Sequence, residues 1–435
     1  MTLKKHQVKF LSFFKILRSH FFNIISYLTS GWRSPVLAVG MGISAATALP
    51  PWYFHIGIFG FTIFLFLLNK CSKVLEAASF TWLFAFGFHL FGLQWVSNAL
   101  LVDGENFRWL IPFAFLGLPA ALAIIPAVFM AILPVIARSP LSKALMTTTL
   151  WTFAEYVRGH ILTGFPWNLP VYIFSFSEEL IQSASLLGAY GLSFLVVLFT
   201  TGPFLLFSLM NSKKRPWKIL FASIICLIPM ILWISGNIRL AGQGHLTKQG
   251  NLVRIVQGNI PQNEKWQPEL RQRHIKKYIS LSEMKSDNNT SGPRKQSPNI
   301  TIWPETAVPA LLSKDKKTRS LITRFLKNGT LLITGAPSLT ETTPPQLRNS
   351  IFILTNDGEI LDRYDKAHLV PFGEYLPFKE WLPFSKIVSG FSDFQPGPGV
   401  RSLKIPTIGF ISPLICYAII FPGRVVSDTM ADRPR

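Results

Sequence analysis

The chain has 435 residues, 49% of them hydrophobic and only 15% charged, with a formal net charge of +21. That charge does not point to nucleic acid. Much of it lies in the N-terminal segment and in loops between apolar runs, where anionic headgroups and insertion topology account for it. No zinc-ligand cluster, phosphate-cradling glycine loop or aromatic–basic RNA motif accompanies it, so neither a nucleic-acid partner nor a metal is expected.

In chain order, residues 1–34 form a basic segment carrying Lys4, Lys5, Lys9, Lys15 and Arg18, expected in the cytoplasm. Residues 35–236 are almost continuously apolar, rich in Phe, Leu, Ile and Trp. A hydrocarbon core about 30 Å thick takes roughly 20 apolar residues per helix. Several runs approach that length, which predicts an integral membrane domain and excludes a signal peptide before a soluble protein. About seven spans are predicted: Val36–Leu49, Tyr53–Leu68, Ala77–Val96, Leu110–Ile136, Ala144–Val157, Leu187–Met210 and Ile219–Ile234. The fourth carries Pro112, Pro119, Pro126 and Pro134, which predicts a kinked helix or two pieces. The fifth is short and ends in Glu155 and Arg158.

The loops give the orientation. Lys70 and Lys73 follow the second span, Arg138 and Lys143 the fourth, and Lys213, Lys214, Arg215 and Lys218 the sixth. The alternate loops carry Asp103 and Glu105, or Glu178 and Glu179. This positive-inside pattern puts the N-terminus in the cytoplasm and residues 237–435 outside. Cys71 then falls near the cytoplasmic face and Cys226 in the last span, leaving Cys416 alone in the outer compartment.

Residues 237–435 read as a water-soluble domain. Leu252–Gly258, Asn299–Trp303, Thr330–Gly335, Ser350–Thr355 and Pro406–Ile420 are predicted strands. Glu264–Met284 and Lys314–Asn328 are predicted amphipathic helices, so the domain is a layered α/β structure. Ser286–Ser297 has the composition of a disordered surface loop, and Asn356-Asp-Gly358 that of a hairpin turn.

Three polar features follow strand-like runs: Trp303-Pro-Glu-Thr306, Arg363-Tyr-Asp-Lys-Ala-His368 and Ser412-Pro-Leu-Ile-Cys-Tyr417. A lone cysteine in an apolar run is by itself more often an inert core residue than a nucleophile. Glutamate, lysine and cysteine at the ends of successive strands are nevertheless the parts for acyl transfer through a thioester.

The order of longer motifs is more specific. Gln257-Gly-Asn-Ile-Pro-Gln262 with Lys265-Trp266, Trp303-Pro-Glu-Thr306, the run Tyr364–Pro377 and Leu414-Ile-Cys-Tyr417 resemble the apolipoprotein N-acyltransferase family, as does the membrane loop Thr163-Gly-Phe-Pro-Trp167. That family joins a multi-span α-helical membrane domain to an extracytoplasmic α/β domain of the nitrilase, or carbon–nitrogen hydrolase, superfamily, an αββα sandwich. The resemblance implies Glu305 as general base, Lys366 as oxyanion-stabilising lysine and Cys416 as nucleophile, with Trp266, Glu374 and Tyr417 shaping the site. It implies no cofactor, a monomer in the bacterial inner membrane, and a catalytic domain facing the periplasm. The acyl donor is then a membrane phospholipid and the acceptor the N-terminal amine of a diacylated apolipoprotein.

Two departures stand out. The family usually has glutamate where this chain has Ala418, and its pattern runs through further core strands and a final membrane span beyond the position of Arg435. From these the domain is expected to be C-terminally incomplete and weakly active. A membrane-tethered amidase and an inactive remnant are the alternative readings.

Overall fold

The computed structural model describes residues 23–101, 107–209, 216–242, 251–284, 298–377, 380, 393–406, 408–427 and 429. The basic N-terminal residues up to Arg18, the loop residues Asp103, Glu105 and Lys213–Arg215, and Ser286–Ser297 lie outside the described residues. The chain divides into two compact units: residues 1–98 with 109–244, and residues 99–108 with 245–435.

The first unit is helical. Its main helices are α1 (Arg33–Thr47), α2 (Gly60–Lys70), α3 (Val74–Gly92), α4 (Leu118–Met130), α5 (Pro140–Arg158), α6 (Ala184–Leu209), α7 (Pro216–Cys226) and α8 (Ile228–Gly242). Every predicted span overlaps helix among the described residues, but not every helix reaches the length expected of a crossing. Among the described residues, three helices are long and apolar enough to cross a membrane: Val74–Gly92, Arg108–Ile136 and Ala184–Ser208. The pair α7 and α8, bent by 54°, makes a fourth if counted as one span. The difference from the sequence reading is one of length. The 15 residues of α1 reach only about 22 Å at a rise of roughly 1.5 Å per residue.

The proline-rich run breaks where its sequence predicts. Pro112 precedes a π-helical turn over Phe113–Gly117, Pro126 lies inside α4, and a separate turn covers Leu133–Ile136. Proline removes a helical N–H and crowds the preceding turn, so the ladder bends there. Helices α1 and α3 approach closely through Gly42, where a Cβ would sit 1.9 Å from the Phe84 carbonyl oxygen. Behind that contact an aromatic core fills the unit: Phe64 stacks on Phe84 at 4.2 Å, and Phe61 meets Trp151 edge-on at 4.9 Å.

The second unit is built on a five-stranded mixed sheet in the order β1 (Val253–Ile255), β2 (Ile300–Ile302), β3 (Leu331–Leu339), β4 (Leu347–Thr355), β5 (Ile360–Asp365). The first three strands are parallel; β3, β4 and β5 are antiparallel neighbours. The β4–β5 turn is the predicted Asn-Asp-Gly, with Gly358 at φ +78°. Helices α9 (Arg271–Glu283) and α10 (Lys316–Thr323) cover one face through Ile275, Tyr278, Ile279 and Ile322. On the other face Leu403, Ile405 and Ile415 pack against Ile300, Ile333 and Ile353. Leu403 and Ile405 belong to β6 (Leu403–Ile405), which pairs with β7 (Gly409–Ile411) in a second sheet. Strand β3 is buried over eight of its nine residues because both its faces are covered.

One predicted element is wrong. Pro406–Ile420 is not a single strand: β7 covers three residues, and a 3-10 turn spans Cys416–Ile420. Pro413 has no N–H to give a ladder, which ends the pairing before the cysteine is reached.

Candidate active site

Four of the predicted site residues converge in the second unit. Glu305 follows β2, and the chain bends sharply there, with Thr306 at φ +51°. Trp303 anchors that bend. It is buried, stacks on Tyr278 at 5.1 Å, and donates from Nε1 to Ser282 Oγ at 2.9 Å. Gly335 of β3 lets the bend cross closely: a Cβ there would sit 2.4 Å from the Thr306 nitrogen and 2.7 Å from Glu305 Cα.

Lys366 follows β5, and its side chain is only 1% exposed. Its main chain is held from two directions, its N–H donating to the Asn349 carbonyl and its carbonyl accepting from Gly397 N–H, both at 2.8 Å. One residue earlier, Asp365 is buried among Ser350 Oγ at 2.7 Å and Arg348 at 3.0 Å, which fixes the end of the strand. The ammonium contacts Glu374 Oε2 at 2.8 Å and lies 3.9 Å from Glu305 Oε1. A buried lysine needs such carboxylates to stay charged.

Although Ala418 stands where the family usually has glutamate, Lys366 has a carboxylate partner in Glu374. Glu374 is itself held, accepting from Val370 N–H at 2.8 Å. Ala418 is buried within the 3-10 turn that opens at Cys416.

Cys416 has φ +49°, a left-handed conformation that is rare for a residue with a side chain. It is exposed as a residue, and its thiol interacts electrostatically with Glu305, Lys366 and Glu374. Burial of the sulfur raises its pKa first, Glu305 adds to the rise, and Lys366 and the Tyr417 backbone N–H oppose it. Tyr417 packs in a ring cluster with His368 at 5.6 Å and Phe421 at 4.9 Å. Trp266 sits half-buried in the turn over residues 262–266.

The sequence reading gives no site role to two further residues, Asn349 and Lys265, although Lys265 lies within one of the family-like motifs. Asn349 is buried, and its Nδ2 donates to both catalytic-type carboxylates, to Glu305 Oε1 at 2.6 Å and to Glu374 Oε1 at 2.8 Å. Only the β3–β4–β5 pairing brings it there, and nothing local in the sequence marks it. Lys265 interacts with Glu305 and Cys416, and burial lowers its pKa against their opposing pull. Its place beside Trp266 was the available signal. Among the described residues no group of three or more His, Cys, Asp or Glu is arranged to hold a metal ion.

Residues 41–202 match the family model described as apolipoprotein N-acyltransferase N-terminal domain, and residues 252–432 that described as carbon–nitrogen hydrolase. The apolipoprotein N-acyltransferase of Rhodopseudomonas palustris is 34% identical over 415 residues, covering 92% of this chain and 76% of the relative. The chain belongs to the apolipoprotein N-acyltransferase family. The enzyme of the same name from Bradyrhizobium diazoefficiens is 35% identical over 428 residues, covering 95% of this chain and 79% of its own. That of Rickettsia prowazekii is 33% identical over 404 residues, covering 91% and 77%. As a family member the chain is an acyltransferase, and its three or four apolar helices fit a membrane protein. The carbon–nitrogen hydrolase match covers all the residues gathered around Lys366.

Proposed function

We propose that this chain moves an acyl chain from a membrane phospholipid, through a thioester on Cys416, to the N-terminal amine of a diacylglyceryl-cysteine on an apolipoprotein. The observation that carries the reading is the cluster of Glu305, Glu374 and Asn349 around the buried Lys366, with Cys416 within electrostatic reach of these charges, on a chain that also matches the family's membrane domain. The membrane-domain match favours this over a tethered amidase, because both substrates are membrane-anchored amphiphiles.

Glu305, Lys366 and Cys416 act as the catalytic triad. The raised pKa keeps the thiol protonated at neutral pH, so a base must act as the bond forms. Glu305 takes the proton while Sγ attacks the ester carbonyl, and Lys366 stabilises the oxyanion that develops. Collapse breaks the ester C–O bond, Glu305 returns its proton to the leaving alkoxide, and lysophospholipid departs. The neutral amine then attacks the thioester, Glu305 takes its proton, and the C–S bond breaks. The proton passes to the thiolate, which restores the resting enzyme. Asn349 and Glu374 orient the base and the lysine. Trp266 and Tyr417 shape the walls.

The basic loops support a cytoplasmic N-terminus, and hence a catalytic unit on the periplasmic side of the bacterial inner membrane, reached after seven crossings. A membrane-impermeant maleimide on intact spheroplasts should then label Cys416 and spare Cys71; the reverse pattern overturns the orientation. For the chemistry, labelled phospholipid should leave a hydroxylamine-sensitive adduct on Cys416, and a diacylated lipopeptide should discharge it to a triacylated product. An adduct discharged equally well by water alone would favour the hydrolase reading.

A further inference from the structure

The first unit buries a pair of charges that the chemistry above does not use. Glu155 and Arg158, one turn apart on α5, are each 2% exposed and form an ion pair. Removing two charges from water is expensive, and a well-packed apolar pair often serves stability as well or better. Such residues in a membrane domain call for a role that apolar side chains cannot fill.

Arg158 has one. Its guanidinium donates to the Phe165 carbonyl and, at 2.8 Å, to the Trp167 carbonyl, while its own carbonyl accepts from Phe165 N–H at 2.9 Å. The loop it grips turns back sharply, with positive φ at Leu162, Gly164 and Asn168. Carbonyls in such a loop have no ladder to join, and away from water each needs a donor. Glu155 holds the guanidinium, and the guanidinium holds the loop.

That loop is one wall of a cavity of about 700 Å³ within the same unit, lined by Phe91, Trp95, Trp167 and Tyr172. Trp167 meets Trp95 edge-on at 5.2 Å. The lining also includes Gln94 and Asn168. A largely aromatic cavity suits a long apolar chain, such as the acyl chain of a lipid ester.

We infer that the Glu155–Arg158 pair positions the Trp167–Asn168 wall of an acyl-chain cavity. The pair is a positioning element: it governs how well a lipid chain is held, and it does not touch reacting atoms. The inference rests on the acyltransferase reading for its kinetics but not for binding. The chain belongs either to the phospholipid donor or to the diacylated acceptor.

Two photoreactive probes distinguish those sources: a phosphatidylcholine and a diacylated lipopeptide, each with a diazirine on one acyl chain. With full-length Cys416→Ser protein in mixed micelles, no turnover is needed. One probe should mark Phe91, Trp95, Trp167 or Tyr172, and Arg158→Lys and Glu155→Gln should each lower that yield about tenfold at subsaturating probe. Absence of adducts on this wall from both probes overturns the cavity. Adducts undiminished in Arg158→Lys and Glu155→Gln proteins of parental melting temperature overturn the role of the pair. With Cys416 intact, Arg158→Lys should raise KM for the marked substrate about tenfold and leave kcat within about twofold. A fall in kcat at unchanged KM refutes the positioning role. Marking without any thioester chemistry would fail the acyltransferase reading and leave this one standing.

Discussion

Each unit holds a carboxylate–cation cluster away from water, and the two differ in how far they are closed. In the helical unit both partners are 2% exposed, and Arg158 also donates from Nη1 and Nη2 to backbone carbonyls. Around Lys366 exposure is graded: the lysine is 1% exposed, Glu374 12% and Glu305 32%, with Cys416 exposed beside them. A closed pair can only hold structure in place. A cluster that opens from a buried cation to a partly exposed carboxylate beside the thiol can pass a proton along that gradient. The same residue types serve two purposes, and the difference lies in which member reaches the solvent.

The comparison breaks most visibly at Glu305. Replacing it with Gln keeps the shape and removes the base, so turnover in a lipopeptide triacylation assay should fall about 10²–10⁴-fold. Thiolate formation should become easier, because the Glu305 charge raises the Cys416 pKa. Iodoacetamide alkylation of Cys416, followed by mass spectrometry, tracks the thiolate and so increases with pH. Its midpoint in the parent should lie above the usual thiol value of about 8.5, and Glu305→Gln should move it down. Slower alkylation in that variant would remove Glu305 from the thiol's surroundings.

Lys366→Met should act in the opposite sense on the thiol. It leaves the Glu305 and Glu374 carboxylates without their shared cation and removes the charge that lowers the Cys416 pKa. The alkylation midpoint should rise, and turnover should drop about 10²–10³-fold, as for loss of an oxyanion donor. A midpoint that moves the same way in both variants would show that the cluster is not graded as described.

How much of this was legible in the sequence depends on whether the signal is local. Apolar runs reported the helices because lipid exposure is written in composition, but hydropathy does not give the length of each helix, as the 15 residues of α1 illustrate. The conformation of Cys416 was hidden, since an apolar run ending in Cys-Tyr-Ala-Ile-Ile reads as strand until Pro413 is weighed against it. Glu305, Lys366 and Cys416 were marked by motif order, and Glu374 came with the same motif, though not its 2.8 Å contact with Lys366. Asn349 was silent because its role depends on strand pairing that no local pattern encodes. Glu155 and Arg158 looked like charges at a helix end, because the loop that buries them is several residues further on.

Asn349 offers the finer test. Asn349→Leu removes the donor shared by Glu305 and Glu374 and keeps the strand apolar and covered. A hydrogen bond to a charged group contributes about 1.5–3 kcal/mol, so the loss in kcat/KM should be roughly ten- to a hundredfold. The base still exists but is no longer held, so the loss should appear in kcat more than in KM. Asn349→Asp should be worse than Leu, since it sets a third carboxylate beside two others. Equal activity of the Asp variant and the parent would show that Nδ2 is not the group that matters.

Ala418→Glu should have the smallest effect. Motif comparison alone assigns this position a carboxylate, and its absence would be costly if Lys366 depended on it. Lys366 instead has Glu374 at 2.8 Å and Glu305 at 3.9 Å, so its charge is already compensated. A glutamate at this buried position would add a further negative charge near Cys416 and raise the cost of the thiolate. Any gain in positioning is offset by that cost, and triacylation should change by less than about threefold, a difference of roughly 0.7 kcal/mol. A gain of a hundredfold or more would mean that Glu374 does not hold Lys366 in the working enzyme, and that the carboxylate compensating the buried cation is the one this chain has replaced.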